Sequence, residues 1–444
     1  MAGKNVRRLA LRLFSAWEEG DRYINLVLDD PAVSMLGEED HAFLVALLFG
    51  TVERRLTLLY HIRCLARDGG RKMAPHTRRL LCLGLYQLLY MDGVPDYAAI
   101  AETVALAGSA GERGFVNAVL RNAVRFPERL ALPAREDGVL SYLSLRYSFP
   151  EETVALFLAE RGEEMTERLL ASFCETQPLT ISVNLRRTDR KTVLAALHAA
   201  GYAASETPYA PYGIRLAKSV DPTRLPGFRE GWFFVQDEAS QIACAALSPG
   251  MGRVVDTCAA PGGKSFGVAM TMREGGELFA MDLHESKLSL IRSGAERLGL
   301  SSVHTAAHDG STPLTAFCGT ADGVICDAPC SGLGVLGKKA DLRYRAGTRF
   351  AELPPLQEKI LSSAAAYVRQ GGELLYATCT IHRAENEEVA ARFLAAHPDF
   401  AAADFAVGGL RSAGGMLQLL PPTHGTDGFF LAKFTRRRDE KESI

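Results

Sequence analysis

The chain has no apolar run long enough to span a bilayer, which excludes a protein threaded through a membrane by helices. Its opening Met1-Ala2-Gly3-Lys4-Asn5-Val6-Arg7-Arg8 leads into an amphipathic pattern interrupted by Arg12 and Glu18, so no secretory signal is expected. Basic charge is in no surplus. Fifty Lys and Arg against 52 Asp and Glu give a net charge of -2, which excludes a histone-like polycation but not a local basic face that binds nucleic acid. The nine cysteines are odd in number and lack disulfide-like spacing, as expected of a protein in the reducing cytoplasm. Cys326 and Cys330 stand close together, but no second Cys or His pair with zinc-like spacing accompanies them, so no metal is expected. His304 and His308 read as structural or exposed side chains, and no Ser-His-Asp arrangement emerges.

With 444 residues, 47% hydrophobic and 23% charged, the chain is an ordinary soluble composition with room for two or three domains. Periodicity divides it. Up to about Arg125 the apolar residues recur at helical spacing, as in Leu9, Leu13, Phe14 and Trp17, and strand signals are nearly absent. Phe126-Pro127 and Leu132-Pro133 break the pattern, so residues 1–130 are expected to form an all-α domain. Residues 140–247 read as a small α+β region of the kind that often presents single-stranded RNA. Its elements are a helix over 151–173, a strand over 179–185, a helix over 190–200 and strands near 209–217 and 232–235. From 248 to 436, short apolar strands at 254–257, 277–282, 303–307, 323–327 and 373–378 alternate with helices at 265–273, 285–298, 356–369 and 385–396. That rhythm predicts a doubly wound, Rossmann-like α/β sheet, closed by a hairpin of 418–420 with 429–434.

Ligands of such sheets bind at the carboxyl ends of the strands, so Asp282, Asp309, Asp327 and Cys379 are expected at one rim. The loop Cys258-Ala259-Ala260-Pro261-Gly262-Gly263-Lys264 follows the first of these strands and is neither a Walker loop nor Gly-x-Gly-x-x-Gly. Paired glycines let the backbone approach a ligand, and free amides at a helix start attract a carboxylate or phosphate. Asp282, about twenty residues on, stands where an acid commonly takes ribose hydroxyls. Together they imply an adenosine-bearing ligand without a bulky pyrophosphate. The bland alternative is a tight turn beside a surface acid. Asp309 is a candidate acceptor for an adenine amino group, with a turn cap as its alternative. Lys264 either holds the loop or meets a carboxylate of the site, unless it is simply solvated.

Asp327-Ala328-Pro329-Cys330 and Ala377-Thr378-Cys379-Thr380 each set a thiol just past a strand. With Asp256 to Lys264, Asp327 to Gly334, Tyr376 to Thr380, Glu385-Asn386-Glu387 and Asp427 to Lys433, the second half of the chain resembles the Nop/Sun family of S-adenosylmethionine-dependent RNA cytosine-5 methyltransferases. Gln87 to Tyr90, Pro95 to Ile100 and Phe115 to Arg121 are similar to the NusB fold. That fusion implies the bacterial branch that methylates one cytosine of 16S, small-subunit ribosomal RNA. One departure is Gly337-Lys338-Lys339-Ala340-Asp341, where relatives usually carry arginines and a proline before the aspartate.

Carbon 5 of cytosine is too poor a nucleophile to take a methyl group directly from a sulfonium, so a nucleophile must first add at carbon 6. A cysteine thiolate suits that addition. It pushes electrons toward N3, where Asp327 is the candidate partner. Spacing does not settle which cysteine attacks. The resemblance implies Cys379 as nucleophile and Cys330 as helper in resolving the adduct, with a small core residue as the alternative for either thiol. Cys326 reads as strand core.

A duplex buries carbon 6 in its stack, so the substrate is expected to be an unpaired or flipped cytosine in unassembled or early-assembling RNA. Arg54, Arg55, Arg63, Arg67, Arg71, Lys72, Arg78 and Arg79, and separately Arg186, Arg187, Arg190 and Lys191, form basic clusters able to track phosphates or merely to solvate a helical face. Two other functions compete: a transfer RNA cytosine-5 methyltransferase, and a non-catalytic RNA-binding assembly factor that keeps the fold.

Overall fold

Local signals decide where the helices of the amino-terminal half start. Ser109 accepts from the amide of Glu112 at 3.2 Å, and Glu112 in turn accepts from the amide of Gly108 at 2.7 Å, a reciprocal cap that opens one helix. Pro75 opens another from its first turn, where no amide is needed. The computed structural model describes residues 6–20, 23–66, 69, 73–345 and 350–438. The chain divides into two compact units, one of Met1–Cys174 with Lys339–Arg345, the other of Glu175–Lys338 with Ala346–Ile444.

The described residues of the first unit are helical. The helices are α1 (Val6–Glu19), α2 (Ile24–Val27), α3 (Glu38–Glu53), α4 (Arg55–Leu65), α5 (Pro75–Tyr90), α6 (Asp96–Val104), α7 (Ala110–Arg125), α8 (Val139–Tyr147) and α9 (Glu151–Ser172). The apolar face predicted for α1 is buried: Leu13, Phe14 and Trp17 pack with Leu44, Leu47, Leu58, Leu80 and Leu120. The prolines at 127 and 133 break helices without ending the unit, because α8 and α9 bury Leu143, Val154 and Phe157 within it. A second feature was not foreseen. Residues Lys339–Arg345, far along the chain, form a short turn of this unit. The Arg343 guanidinium lies 4.0 Å from the Phe149 ring and donates to the carbonyls of Glu53 (3.2 Å) and Phe173 (3.0 Å), while Asp341 accepts from the Ile24 amide at 2.9 Å.

The second unit holds two principal sheets. The smaller is antiparallel, in the order β2 (Ala204–Glu206), β3 (Gly213–Leu216), β1 (Leu179–Val183), β4 (Phe233–Val235). Helix α10 (Arg190–Ala199) buries Val193 and Leu197 in the same cluster as Ile181, Val183, Ile214 and Phe233. Helix α11 (Glu238–Ala246) follows, capped by Asp237.

The larger sheet is mixed. Its strands β5 (Arg253–Asp256), β6 (Glu277–Asp282), β7 (Val303–Ala307), β8 (Ala321–Asp327) and β9 (Val368–Thr378) are parallel, in the order β9-β8-β5-β6-β7. Strand β14 (Phe429–Arg436) pairs antiparallel with β9, and β13 (Met416–Leu419) and β10 (Phe400–Ala402) pair with β14. The predicted closing hairpin is therefore present, and β10 extends it. A separate two-stranded ribbon joins β11 (Ala406–Val407) to β12 (Leu410–Arg411).

Helices α12 (Gly263–Ala269), α13 (Glu285–Leu298), α14 (Leu353–Tyr367) and α15 (Glu387–Ala396) connect or follow the parallel strands, and the short α16 (Pro421–His424) precedes β14. Helix α13 shows why this pattern was readable. It buries Leu288, Ile291, Ala295 and Leu298 along one face, each large side chain contributing roughly 1.5–3 kcal/mol. It stops at Gly299, whose left-handed φ of 71° lets the amide of Leu300 reach back to the carbonyl of Ala295 at 2.9 Å. Among the described residues no helix is long and apolar enough to cross a membrane.

Candidate active site

Strand order brings the chemistry together. Parallel registers align Asp282 with Ala307 and Asp327 with Ala377, so β6, β8 and β9 end at one carboxyl edge, with β5 between β8 and β6. Residues past those ends share a rim although they are far apart in sequence.

The first-strand loop is tied to this rim. Ala259 donates its amide to the carbonyl of Met281 at 2.8 Å, and Ala260 donates to the Asp282 carboxylate at 3.2 Å. The other oxygen of Asp282 accepts from the His284 amide at 3.0 Å. The Ala260–Pro261 peptide is cis, and the chain then turns at Gly262, whose φ of 108° lies in the left-handed region. A Cβ there would also lie 2.6 Å from the ring of Phe266. Cys258 is half-buried behind the loop, and burial pushes its thiol up to about 12. Asp309 is exposed and accepts from the Ser311 amide at 2.9 Å, a bond that holds its carboxyl below the ordinary value. The turn-cap alternative for Asp309 thus describes the contact it makes within the chain.

The two other thiols meet. Cys330 Sγ lies 3.3 Å from Cys379 Sγ, both side chains half-buried. The bond to Cys379, followed by burial, pushes the Cys330 thiol well above its ordinary range. Beside them, Lys264 Nζ lies 2.7 Å from Asp327 Oδ2 and 5.0 Å from the centre of the Phe429 ring. Burial by itself would lower the Lys264 ammonium, but the Asp327 carboxylate more than offsets this and holds it above its ordinary value. Cys326 is core, wholly buried in β8.

Sequence reasoning gave several neighbours no individual role. Asp256, at the end of β5, accepts from the Ser265 hydroxyl at 2.6 Å, and its burial pushes the carboxyl up to about 7. Lys338 bonds both Asp237 and, at 3.0 Å, Asp427. Glu385, Asn386 and Gln357 form a buried polar network around the cysteine loops. Glu385 belongs to a motif that carries the family resemblance, but nothing in its spacing shows that it faces inward. Among the described residues no group of three His, Cys, Asp or Glu side chains is placed to hold a metal.

The basic clusters are largely engaged inside the protein. Glu18 lies 2.6 Å from both Arg55 and Arg79 and 3.5 Å from Arg78. In the second unit Arg186 donates to the Met272 carbonyl, Arg187 to that of Leu298, and Arg190 pairs with Glu206. Arg67, Arg71 and Lys72 lie outside the described residues.

A glycine-turned loop after the first strand of an open parallel sheet, an acid ending the next strand, and thiols past two adjacent strands define an S-adenosylmethionine-dependent methyltransferase domain. Family models agree along the chain: NusB family over residues 4–125, an RsmF/B-like methyltransferase ferredoxin-like domain over 149–223, and 16S rRNA methyltransferase RsmB/F over 245–435. The probable ribosomal RNA small subunit methyltransferase B of Synechocystis sp. is 35% identical, covering 97% of this chain and 99% of that one. The ribosomal RNA small subunit methyltransferase B of Klebsiella pneumoniae is 33% identical, covering 98% and 99%. A solved methyltransferase homolog from Pyrococcus horikoshii is 25% identical with a TM-score of 0.56, covering 67% of this chain and 99% of that one. The chain belongs to the ribosomal RNA small subunit methyltransferase B family.

Proposed function

We propose that this protein transfers a methyl group to carbon 5 of one cytosine in 16S ribosomal RNA, through a covalent bond between Cys379 and carbon 6. The contact of Cys330 and Cys379 at 3.3 Å, beside the Lys264–Asp327 pair, carries this reading. One thiol suffices for nucleophilic catalysis; a second touching it suits a reaction in which the first must also leave.

The cofactor S-adenosylmethionine supplies an electrophilic methyl group. The loop Cys258 to Lys264, turned at Gly262 so that no side chain blocks the backbone, holds it together with Asp282. Asp327 closes the pocket, and Asp309 contributes its carboxylate face not used by the turn. Cys379 adds as thiolate to carbon 6, and the electrons displaced toward N3 take up a proton that Lys264 passes through Asp327. Carbon 5, now enamine-like, accepts the methyl group. A solvent water takes the carbon 5 proton, the freed electron pair restores the ring double bond and expels the Cys379 sulfur as thiolate, whose charge the Cys330 thiol stabilises with its S–H, and N3 returns its proton through Asp327 to Lys264.

The helical segment 1–130 and the small sheet within 140–247 serve as RNA-binding parts around the catalytic domain of 248–436, and the protein works in the cytoplasm, where these thiols stay reduced. The substrate is naked or early-assembling RNA, because the target base must leave its stack. Bisulfite mapping of 16S ribosomal RNA from cells with and without this protein tests the reading. One 5-methylcytosine that disappears on deletion, and is restored in vitro on bare RNA with labelled S-adenosylmethionine, is the expected result. Unchanged ribosomal RNA with a lost transfer RNA methylation would assign the other substrate, and no methyl transfer to any RNA would leave a binding factor.

A further inference from the structure

Two sulfurs on separate loops stay in contact only if both loops are held, and the holding groups can be traced atom by atom. Glu385 is fully buried. Its Oε2 accepts from the Ser331 amide and from Gln357 Nε2, each at 2.9 Å, and its Oε1 accepts from the hydroxyls of Ser331 at 2.5 Å and Thr380 at 3.4 Å. Ser331 follows one cysteine and Thr380 follows the other, and their hydroxyls are 2.8 Å apart. Gln357 also donates to the carbonyl of Pro329, just before Cys330, at 2.9 Å. Asn386 accepts from the Thr378 hydroxyl at 2.6 Å and donates to the Thr380 carbonyl at 3.0 Å, which brackets Cys379 on both sides. The Tyr376 hydroxyl, from within β9, fixes the Glu385 carbonyl at 2.6 Å.

We propose that Glu385 is a positioning residue that sets the separation of the two thiols by tying the Cys330 loop to the Cys379 loop through one carboxylate. Burying a carboxylate this completely is costly unless its lone pairs are filled, and here four donors fill them. Those donors come from the two loops and from α14. Glu385 touches neither sulfur, so its effect on chemistry runs through loop geometry. The proposal rests on the cytosine-5 reading for its catalytic consequence but not for its geometric one.

Substitution separates shape from charge. Glutamine at 385 can accept from the Ser331 amide and Gln357 with its oxygen and donate to the two hydroxyls with its nitrogen, which keeps the tie without the charge. Alanine removes the tie. The direct readout needs neither RNA nor cofactor: phenylarsine oxide bridges paired thiols, forming two As–S bonds while its oxygen leaves as water with the two thiol protons. Peptide mapping by mass spectrometry of the full chain is expected to show a Cys330–As–Cys379 bridge in the unsubstituted protein and in Glu385→Gln, and bridging slowed about tenfold or more in Glu385→Ala. In methyl transfer, Glu385→Ala is expected to lose about 100-fold in kcat with KM for RNA within about twofold, and Glu385→Gln to recover most of it. Should Glu385→Ala fail to fold, the double variant Ser331→Ala with Thr380→Val, which removes one half of the tie, is expected to slow bridging. Undiminished bridging in Glu385→Ala or in that double variant overturns the proposal. So does a Glu385→Gln protein that bridges normally yet is as inactive as Glu385→Ala. If no RNA is methylated at all, the bridging result still stands or falls alone.

Discussion

Cys330 and Cys379, 49 residues apart in sequence, hold their sulfurs 3.3 Å from one another because β8 and β9 are parallel neighbours that end together at Asp327 and Thr378. Contact with its partner and burial drive the Cys330 thiol toward its protonated form, and the proposed chemistry makes Cys379 the nucleophile. Replacing Cys379 with alanine is expected to abolish both methylation and any covalent protein–RNA species on denaturing gels. Replacing Cys330 with alanine is expected to let the adduct form and persist, with turnover down at least about 100-fold. The opposite pattern would exchange the two roles.

The ion pair of Lys264 and Asp327 at 2.7 Å joins the cofactor loop to the end of β8. Lys264→Met takes the ammonium away from Asp327 and from the face of Phe429 and, in the proposed mechanism, removes the proton source, so the expected loss is in the chemical step. Single-turnover methyl transfer should slow about 100-fold. Affinity for S-adenosylhomocysteine, measured by calorimetry, should change far less. A variant that binds the product analogue poorly but transfers at a normal rate when saturated would make Lys264 a cofactor ligand only.

Each cysteine was legible as the residue after a strand, and β6, β7 and α13 were legible to the residue because Gly275-Gly276 and Gly299 mark their edges. Their meeting was not written in spacing, since it depends on which strands pair. Charge was the least readable signal. Arg55, Arg78 and Arg79 look like a phosphate-binding cluster until Glu18 of α1, 37 residues before Arg55, is seen among them. Burial pushes the Glu18 carboxyl upward, yet Arg55 and Arg79 hold it below the usual range, so these cations are neutralised at home. Glu385 was read as the first residue of a helix, whereas α15 begins at Glu387 and Glu385 faces inward from the turn before it.

Arg343 illustrates a position whose environment no local pattern foretells. It is 1% exposed, stacked on Phe149 and bonded to two carbonyls, all in the helical unit. Arg343→Ala leaves both carbonyls and a cavity, and is expected to destabilise that unit by about 3 kcal/mol. Arg343→Lys should restore little of this, because one ammonium lacks the planar fork that serves two acceptors and an aromatic face together. Urea unfolding followed by circular dichroism measures the difference, and a loss below about 1 kcal/mol for the alanine variant would make this turn an incidental contact.

Asp256 makes stability depend on pH in an unusual direction. Burial raises its carboxyl from 3.8 to about 7, so between those values the folded state binds a proton that the unfolded chain has already released. The Asp256 contribution to stability then falls as pH rises from about 4 to about 7 and levels off above, the reverse of a carboxylate held in an ion pair. Asp427, raised to about 7 by burial and then by the charge of Asp237, adds a slope of the same sign. Asp256→Asn deletes one of the two contributions while keeping an acceptor for the Ser265 hydroxyl at 2.6 Å. The expected outcome is a gain in unfolding free energy that is small near pH 5 and grows toward pH 7.5. Equal gains at both pH values would show that Asp256 is already ionised across the whole range.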